Sequence, residues 1–255
     1  MSQSTIRARL QDGETVVGTF QIIDSMMVSE MIGIAEFDFV IFDQEHGPLG
    51  AETSMHLAAG AQRAGAAPIV RVRANEKHEI QRALDIGSAG VQVPQVETRA
   101  DAERAVDAAR FDPIGTRGLS QYVRAGDYRG QEQYTDKQNQ RVILIVQVEG
   151  TEGIENIDEI LAVEGIDVVF LGPYDLSQSL GIPGEVTHPD VESLMRQVCD
   201  RAQAAEVVVG AFADTPEIAG QWIDAGVGYV ALGADGAFLT NRLASFRSAV
   251  DEHID

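Results

Sequence analysis

Short runs of apolar, often β-branched residues recur along the chain. Between them lie longer stretches in which apolar residues return with helical spacing. The runs are 16–23 (VVGTFQII), 37–43 (FDFVIFD), 68–72 (PIVRV), 90–94 (GVQVP), 141–149 (RVILIVQVE), 166–172 (IDVVFLG), 207–212 (VVVGAF) and 228–233 (GYVALG). Most are almost continuously apolar, the pattern of parallel strands covered on both faces. The intervals carry helix signals. Thr98 stands where an N-cap belongs ahead of RADAERAVDAARF, with Asp101 near the positive end of the helix dipole. Thr215-Pro216-Glu217 reads as N-cap, proline at N1 and acid in the first turn, and Gly226 sits where a C′ glycine ends that helix. Eight β-then-α units in 255 residues is the arithmetic of one α/β domain, a (β/α)8 TIM barrel spanning 1–255. An open doubly wound sheet is the alternative.

Two long connections interrupt the rhythm, 112–140 after the helix of the fourth unit and 173–189 after the sixth strand. Insertions after barrel strands usually build the face that carries the active site. Several familiar motifs fail on context. GVGYVA (226–231) imitates a dinucleotide fingerprint but precedes a strand instead of following one. Neither lysine has P-loop context, and there is no GxSxG elbow and no HExxH. Cys199, the single cysteine, falls in the amphipathic stretch VESLMRQVCDRAQAA and reads as a packed thiol. It excludes an intramolecular disulfide and a multi-cysteine zinc site.

Charge changes the picture. Forty acidic residues against 19 basic give −21, and only Lys77 and Lys137 among the basic residues are lysines. Such a surface repels phosphate backbones and anionic membranes, so nucleic-acid and membrane partners are not expected. Acid excess with lysine depletion points to a halophilic protein, because at about 1 M salt the Debye length falls to about 3 Å and self-repulsion fades. The plainer reading is an ordinary acidic enzyme. The N-terminal MSQSTIRARL lacks the apolar core of a signal peptide, which favours a cytoplasmic location.

In a barrel, polar residues at the C-terminal ends of strands read as catalytic. Gln147 and Glu149 share one side of the fifth strand by period-2 alternation. Asp175 follows the neighbouring strand. Two carboxylates on adjacent strand ends suit a hard divalent ion. A salt bridge or helix cap is the plain alternative for Glu149, and an N-cap for Asp175. His46 follows the second strand in a Gly/Pro-bounded loop and is the natural general base, with Asp43 or Glu45 able to orient it. His56, His78, His188 and His253 lack comparable context. Arg71 and Arg73 are expected to point to one face of the third strand, where an arginine could hold a carboxylate or a developing oxyanion. Gly172-Pro173-Tyr174-Asp175 turns strand into helix, and its free N–H groups offer a carboxylate site.

These residues, together with the stretches FDFVIFDQEHGP, PIVRV, ALDIGSAGVQVPQVETRADAERAVDAARFDPIGTRG, ILIVQVEGTEGIENIDEILAVEGIDVVFLGPYDLSQSLGIPGEVTHPDV and GYVALGADGAFL, resemble the HpcH/HpaI family of metal-dependent (class II) pyruvate aldolases. The resemblance runs from about residue 15 to 247. It implies a barrel whose last helix is exchanged between subunits of a homo-oligomer, usually a hexamer. It implies Mg2+, Mn2+ or Co2+ on Glu149 and Asp175, His46 as acid/base group, Arg71 stabilising the enolate, and Gln147 lining the substrate site with the Gly172–Tyr174 turn. Asp85, in LDIG, is expected near a subunit interface and in support of the histidine. The chain departs from the family in two loops. Gln44 and Gly47 flank Glu45-His46 where glycine and alanine are usual, and Tyr174 stands where alanine is usual. These changes, and the connection QYVRAGDYRGQEQYTDKQ, are where aldehyde specificity could lie.

Pyruvate aldolases use either a Schiff-base lysine or a metal-stabilised enolate. Lys77 and Lys137 both lie in polar stretches outside the strands, which favours the metal route. The expected reaction is reversible cleavage of a 4-hydroxy-2-oxo acid to pyruvate and an aldehyde. An acyl-CoA lyase of the citramalyl-CoA or citrate lyase beta type and a non-catalytic barrel subunit are the alternatives.

Overall fold

The computed structural model describes residues 5–251 and 253–254, so the first four residues and positions 252 and 255 of the expected domain lie outside it. Eight strands, β1 (Val16–Gln21), β2 (Phe39–Asp43), β3 (Ala67–Arg71), β4 (Gly90–Val93), β5 (Ile143–Val148), β6 (Val168–Leu171), β7 (Val208–Ala213) and β8 (Tyr229–Ala234), pair in chain order. All pairs are parallel, and β8 returns to β1 to close the barrel. Closure removes the open-sheet alternative. Each strand core sits inside or within a residue of the predicted run. The first run ends early because the N–H groups of Ile22 and Ile23 donate to the Asp235 carboxylate and leave the sheet.

Two apolar layers hold the barrel. One lies between strands and helices. The other fills the interior, with Phe39, Ile41, Ile69, Ile143, Ile145, Val168, Phe170 and Tyr229 at its centre. Phe39 and Tyr229 stack there at 4.0 Å. Glycine makes the room: a Cβ on Gly18 would lie 2.1 Å from the Phe39 ring. Because side chains alternate, the inward series of each strand continues toward one mouth. Ile41 leads to Asp43, Ile69 to Arg71, and Ile145 to Gln147 and Glu149.

The helix signals are realised. Thr98 and Asp101 form a reciprocal capping box on the Arg99–Ala109 helix. Thr215 accepts from the Ile218 N–H at the start of the Pro216–Asp224 helix, and Gly226 has φ +105° just beyond its end. Cys199 is buried within the Pro189–Ala204 helix.

The opposite end of the barrel is sealed by the Ile6–Gln11 helix, whose Ile6 and Leu10 join the interior layer. Asp167 receives Arg7 and Arg110, each at 2.6 Å, beneath β6. The 112–140 connection belongs to this end, not to the active-site face. It links the end of the Arg99–Ala109 helix to the start of β5, and Arg124 within it donates to the carbonyls of Ile86 and Gly87 at the end of the Lys77–Asp85 helix. The 173–189 connection does lie at the mouth, beginning with the Pro173–Ser179 helix directly after β6.

Candidate active site

The loop after β2 is organised by one carboxylate. Asp43 Oδ1 accepts the N–H groups of Glu45 (3.0 Å) and His46 (3.2 Å), winding the chain into a tight turn. Gly47 completes it, since a Cβ there would stand 2.3 Å from the Asp43 carbonyl oxygen. Across the β2–β3 pair, Arg71 Nε donates to Asp43 Oδ1 (3.0 Å) and Arg71 Nη2 to Oδ2 (2.6 Å). Both side chains are buried. The guanidinium also lies 4.6 Å over the Phe20 ring and 3.3 Å from Glu45. Asp43 is thus committed to Arg71 and to the turn. The carboxylate nearest the His46 imidazole is that of Glu45, 3.9 Å from Nε2. His46 itself projects into solvent with its side chain 74% exposed. Gln44 turns the other way and donates to Ser54, so its difference from the family does not reach the mouth.

A second chain of contacts runs along β4 and β5. Gln92 Nε2 donates to Gln147 Oε1 at 2.6 Å, and Gln147 donates onward to Glu149. Glu149 occupies the N-cap position of the Gly150–Glu155 helix, but its side chain makes no cap bond. Asp175 is the third residue of the Pro173–Ser179 helix, whose N-cap is Gly172, so Asp175 is not the cap either. Neither plain alternative accounts for these two carboxylates. Tyr174 projects from the same turn, and its hydroxyl donates to Asp214 Oδ2 at 2.9 Å.

Electrostatics marks the cluster as short of positive charge. Burial lifts the Glu149 carboxyl above the usual carboxylate range, and Glu45 and Asp175 push it the same way. The bond from Gln147 and the charge of Arg71 oppose them. Burial also raises Asp175 and Glu45, the latter opposed by Arg71 and His46. Glu45 Oε2 is buried without a hydrogen-bond partner. Half-buried carboxylates that repel one another favour a compensating cation. Among the described residues no group of three or more His, Cys, Asp or Glu is arranged as a complete ligand set. Two protein carboxylates suit an ion of the Mg2+ type, which keeps several waters. Glu149 and Asp175 fit such an ion by charge and donor chemistry.

Other expected participants lie elsewhere. β3 ends at Arg71, so Arg73 does not share its inward face. Arg73 is exposed and forks onto Glu79 (2.7 and 3.1 Å). Asp85 ends the Lys77–Asp85 helix at the far end of the barrel and pairs with buried Arg117 at 2.7 Å, so the chain does not bring it to its own His46. Lys77 contacts Thr116 and Asp107 on the outside, and Lys137 is exposed on the Tyr134–Arg141 helix. Three mouth residues escaped the sequence reading: Phe20, Gln92 and Asp214. Gln92 carried a signal, as the one polar residue inside the GVQVP run.

The sequence profile of the HpcH/HpaI aldolase/citrate lyase family matches residues 17–242. A 2-dehydro-3,6-dideoxy-6-sulfogluconate aldolase of Pseudomonas putida is 36% identical over 89% of each chain. A 5-keto-4-deoxy-D-glucarate aldolase of Shigella boydii is 34% identical over 98% of this chain and 94% of its own. The crystal structure of an HpcH/HpaI aldolase from Desulfitobacterium hafniense superposes with a TM-score of 0.90 at 29% identity, covering 97% of both chains. The closed barrel, the strand-end carboxylates and these matches agree: the chain belongs to the HpcH/HpaI aldolase/citrate lyase family and is a carbon–carbon lyase.

Proposed function

We propose that this chain is a class II aldolase that cleaves a 4-hydroxy-2-oxo acid reversibly into pyruvate and an aldehyde. The observation that carries the reading is the half-buried set Glu45, Glu149 and Asp175 gathered at one barrel mouth with Arg71 beside it. A divalent ion such as Mg2+, Mn2+ or Co2+, held by Glu149 and Asp175, would act as a Lewis acid on the 2-oxo group. Gln147 lines the pyruvate site with its amide fixed by Gln92, and the N–H groups of Tyr174 and Asp175, in the turn that begins at Gly172, receive the substrate carboxylate. His46 takes the proton of the 4-hydroxyl, directly or through water. The C3–C4 bond then breaks, its electron pair forms the enolate of pyruvate, and the aldehyde departs. Arg71, held by Asp43, stabilises the enolate oxygen. A proton returned to C3 completes pyruvate.

An acyl-CoA lyase would need basic contacts for phosphates. Arg71 is engaged by Asp43 and Arg73 by Glu79, and the net charge of −21 argues the same way. We read the protein as cytoplasmic, adapted to high salt, and a homo-oligomer, with a hexamer favoured. The Asp235–Asp251 helix supports association. It buries only Asp235 and leaves Phe238, Leu239, Leu243, Phe246 and Val250 exposed, as a helix exchanged with a partner would. Asp85 would reach a neighbouring His46 only across such an interface.

The test needs no aldehyde. In D2O with pyruvate and Mg2+ or Mn2+, the enzyme should exchange the pyruvate methyl protons, read by NMR, and Glu149→Gln should not. Repeated absence of metal-dependent exchange in the wild-type protein overturns the assignment.

A further inference from the structure

One pair at the barrel mouth takes no part in the bond chemistry above. The inward face of β7 runs through Val208 and Phe212 in the interior layer, and Asp214 follows the strand's last residue, Ala213, exposed at the same end. β7 neighbours β6, whose end leads into Tyr174 and Asp175. The Tyr174 hydroxyl donates to Asp214 Oδ2, so the ring bridges the two strand ends, half exposed to the mouth. Asp214 pairs with no cation among the described residues, and its Oδ1 receives no side-chain or backbone donor there.

Asp175 is adjacent to Tyr174 in sequence. With the pyruvate half of the substrate at Asp175 and Arg71, the aldehyde half extends outward past this bridge. It meets a phenol edge and an uncompensated carboxylate. Such a wall accepts hydroxyl groups, which can donate to Asp214, and repels a second anionic group. Building on the retro-aldol reading, we infer that Tyr174 and Asp214 form a specificity wall selecting an uncharged hydroxyaldehyde and rejecting one that ends in a carboxylate or sulfonate. This separates the chain from relatives named for a sulfogluconate and a glucarate, whose substrates carry a second anionic group at the far end.

Two size-matched acceptors test it, glyceraldehyde and tartronate semialdehyde, each condensed with pyruvate in the presence of Mn2+. Salt is kept as low as folding allows, so that the charge is not screened away. The wild-type protein should favour glyceraldehyde in kcat/KM by at least about tenfold. Asp214→Asn should shrink that ratio by raising use of the anionic acceptor. Tyr174→Phe frees the carboxylate to move and should leave the sign of the preference intact. Equal use of both acceptors by the wild-type protein, or an unchanged ratio in Asp214→Asn, overturns the inference. Wild-type exchange of pyruvate methyl protons in D2O is measured alongside. Exchange without acceptor selectivity defeats the specificity wall alone, whereas absent exchange defeats the retro-aldol reading beneath it.

Discussion

Asp43 and Arg71 are joined by two hydrogen bonds of 3.0 and 2.6 Å across neighbouring strand ends, and the same carboxylate holds the backbone of the His46 turn. One acid therefore fixes both the cation and the base of the proposed reaction. Asp43→Asn removes the forked charge partner of a buried guanidinium and leaves it only Glu45, at 3.3 Å. Breaking such a pair should lower the unfolding free energy by about 3–5 kcal/mol, read by denaturant titration. Arg71→Lys keeps the charge but loses the two-pronged geometry. We expect kcat/KM to fall by about 10²–10³-fold, as when one donor to a developing oxyanion is removed. Wild-type turnover in Arg71→Lys would show that the guanidinium fork is not used.

Gln92 gives a quieter prediction. It is fully buried and touches no expected substrate atom, yet it sets the direction of the Gln147 amide and hence the donor that reaches Glu149. Gln92→Leu keeps the volume and removes the bond. Supporting contacts of this kind are worth about 10–100-fold in metal affinity or activity. Calorimetric titration with Mn2+ should show the loss, with the melting temperature little changed. An unaltered affinity would confine Gln92 to packing.

How much of this was legible in the sequence follows from where each signal resides. The barrel was legible because buried parallel strands leave continuous apolar runs, and because Thr98, Thr215 and Gly226 punctuate helices through local chemistry. Glu149, Asp175, His46 and Arg71 were legible as polar residues at strand ends. Arg73 was misplaced because alternation holds only while the strand continues, and β3 stops at Arg71. The 112–140 connection was assigned to the wrong end, although its position after a helix already fixed it. The Tyr174–Asp214 bridge joins residues 40 apart, and no local pattern encodes which strand end faces which.

Cys199 tests the packed-thiol reading through pH. Burial pushes its pKa from 9.0 up to about 12. A raised folded-state pKa means that the protonated thiol stabilises the fold. That contribution is complete below the unfolded value of 9.0 and is lost as pH climbs toward about 12. At pH 8 the native protein should resist a thiol-specific disulfide reagent, while the denatured protein reacts at once. Between about pH 9 and 10.5 the stability difference between wild type and Cys199→Ala should drift toward the variant. Rapid labelling of the native protein would show the thiol to be accessible.

The charge of −21 predicts a salt response. Raising salt from about 0.1 to 1 M shortens the Debye length from about 10 to 3 Å, which screens repulsion between exposed acids but leaves buried pairs such as Asp43–Arg71 nearly untouched. The melting temperature should therefore rise steadily over that range in NaCl. A flat response would place the protein among ordinary acidic enzymes.

The last helix supplies the remaining test. Within one chain, Asp235–Asp251 has an unburied apolar set in Phe238, Leu239, Leu243, Phe246 and Val250, which water would penalise in a lone subunit. The Met26–Ile34 helix likewise exposes Met27, Met31 and Ile34. Covering these surfaces by association removes the penalty, whereas a charge in their midst restores it. Leu243→Glu should shift the molar mass measured by light scattering from an oligomer toward the 27.5 kDa subunit. Loss of association should also reduce turnover if Asp85 of one subunit assists His46 of another. A wild-type mass of 27.5 kDa, or an unchanged mass in Leu243→Glu, would overturn association through this helix.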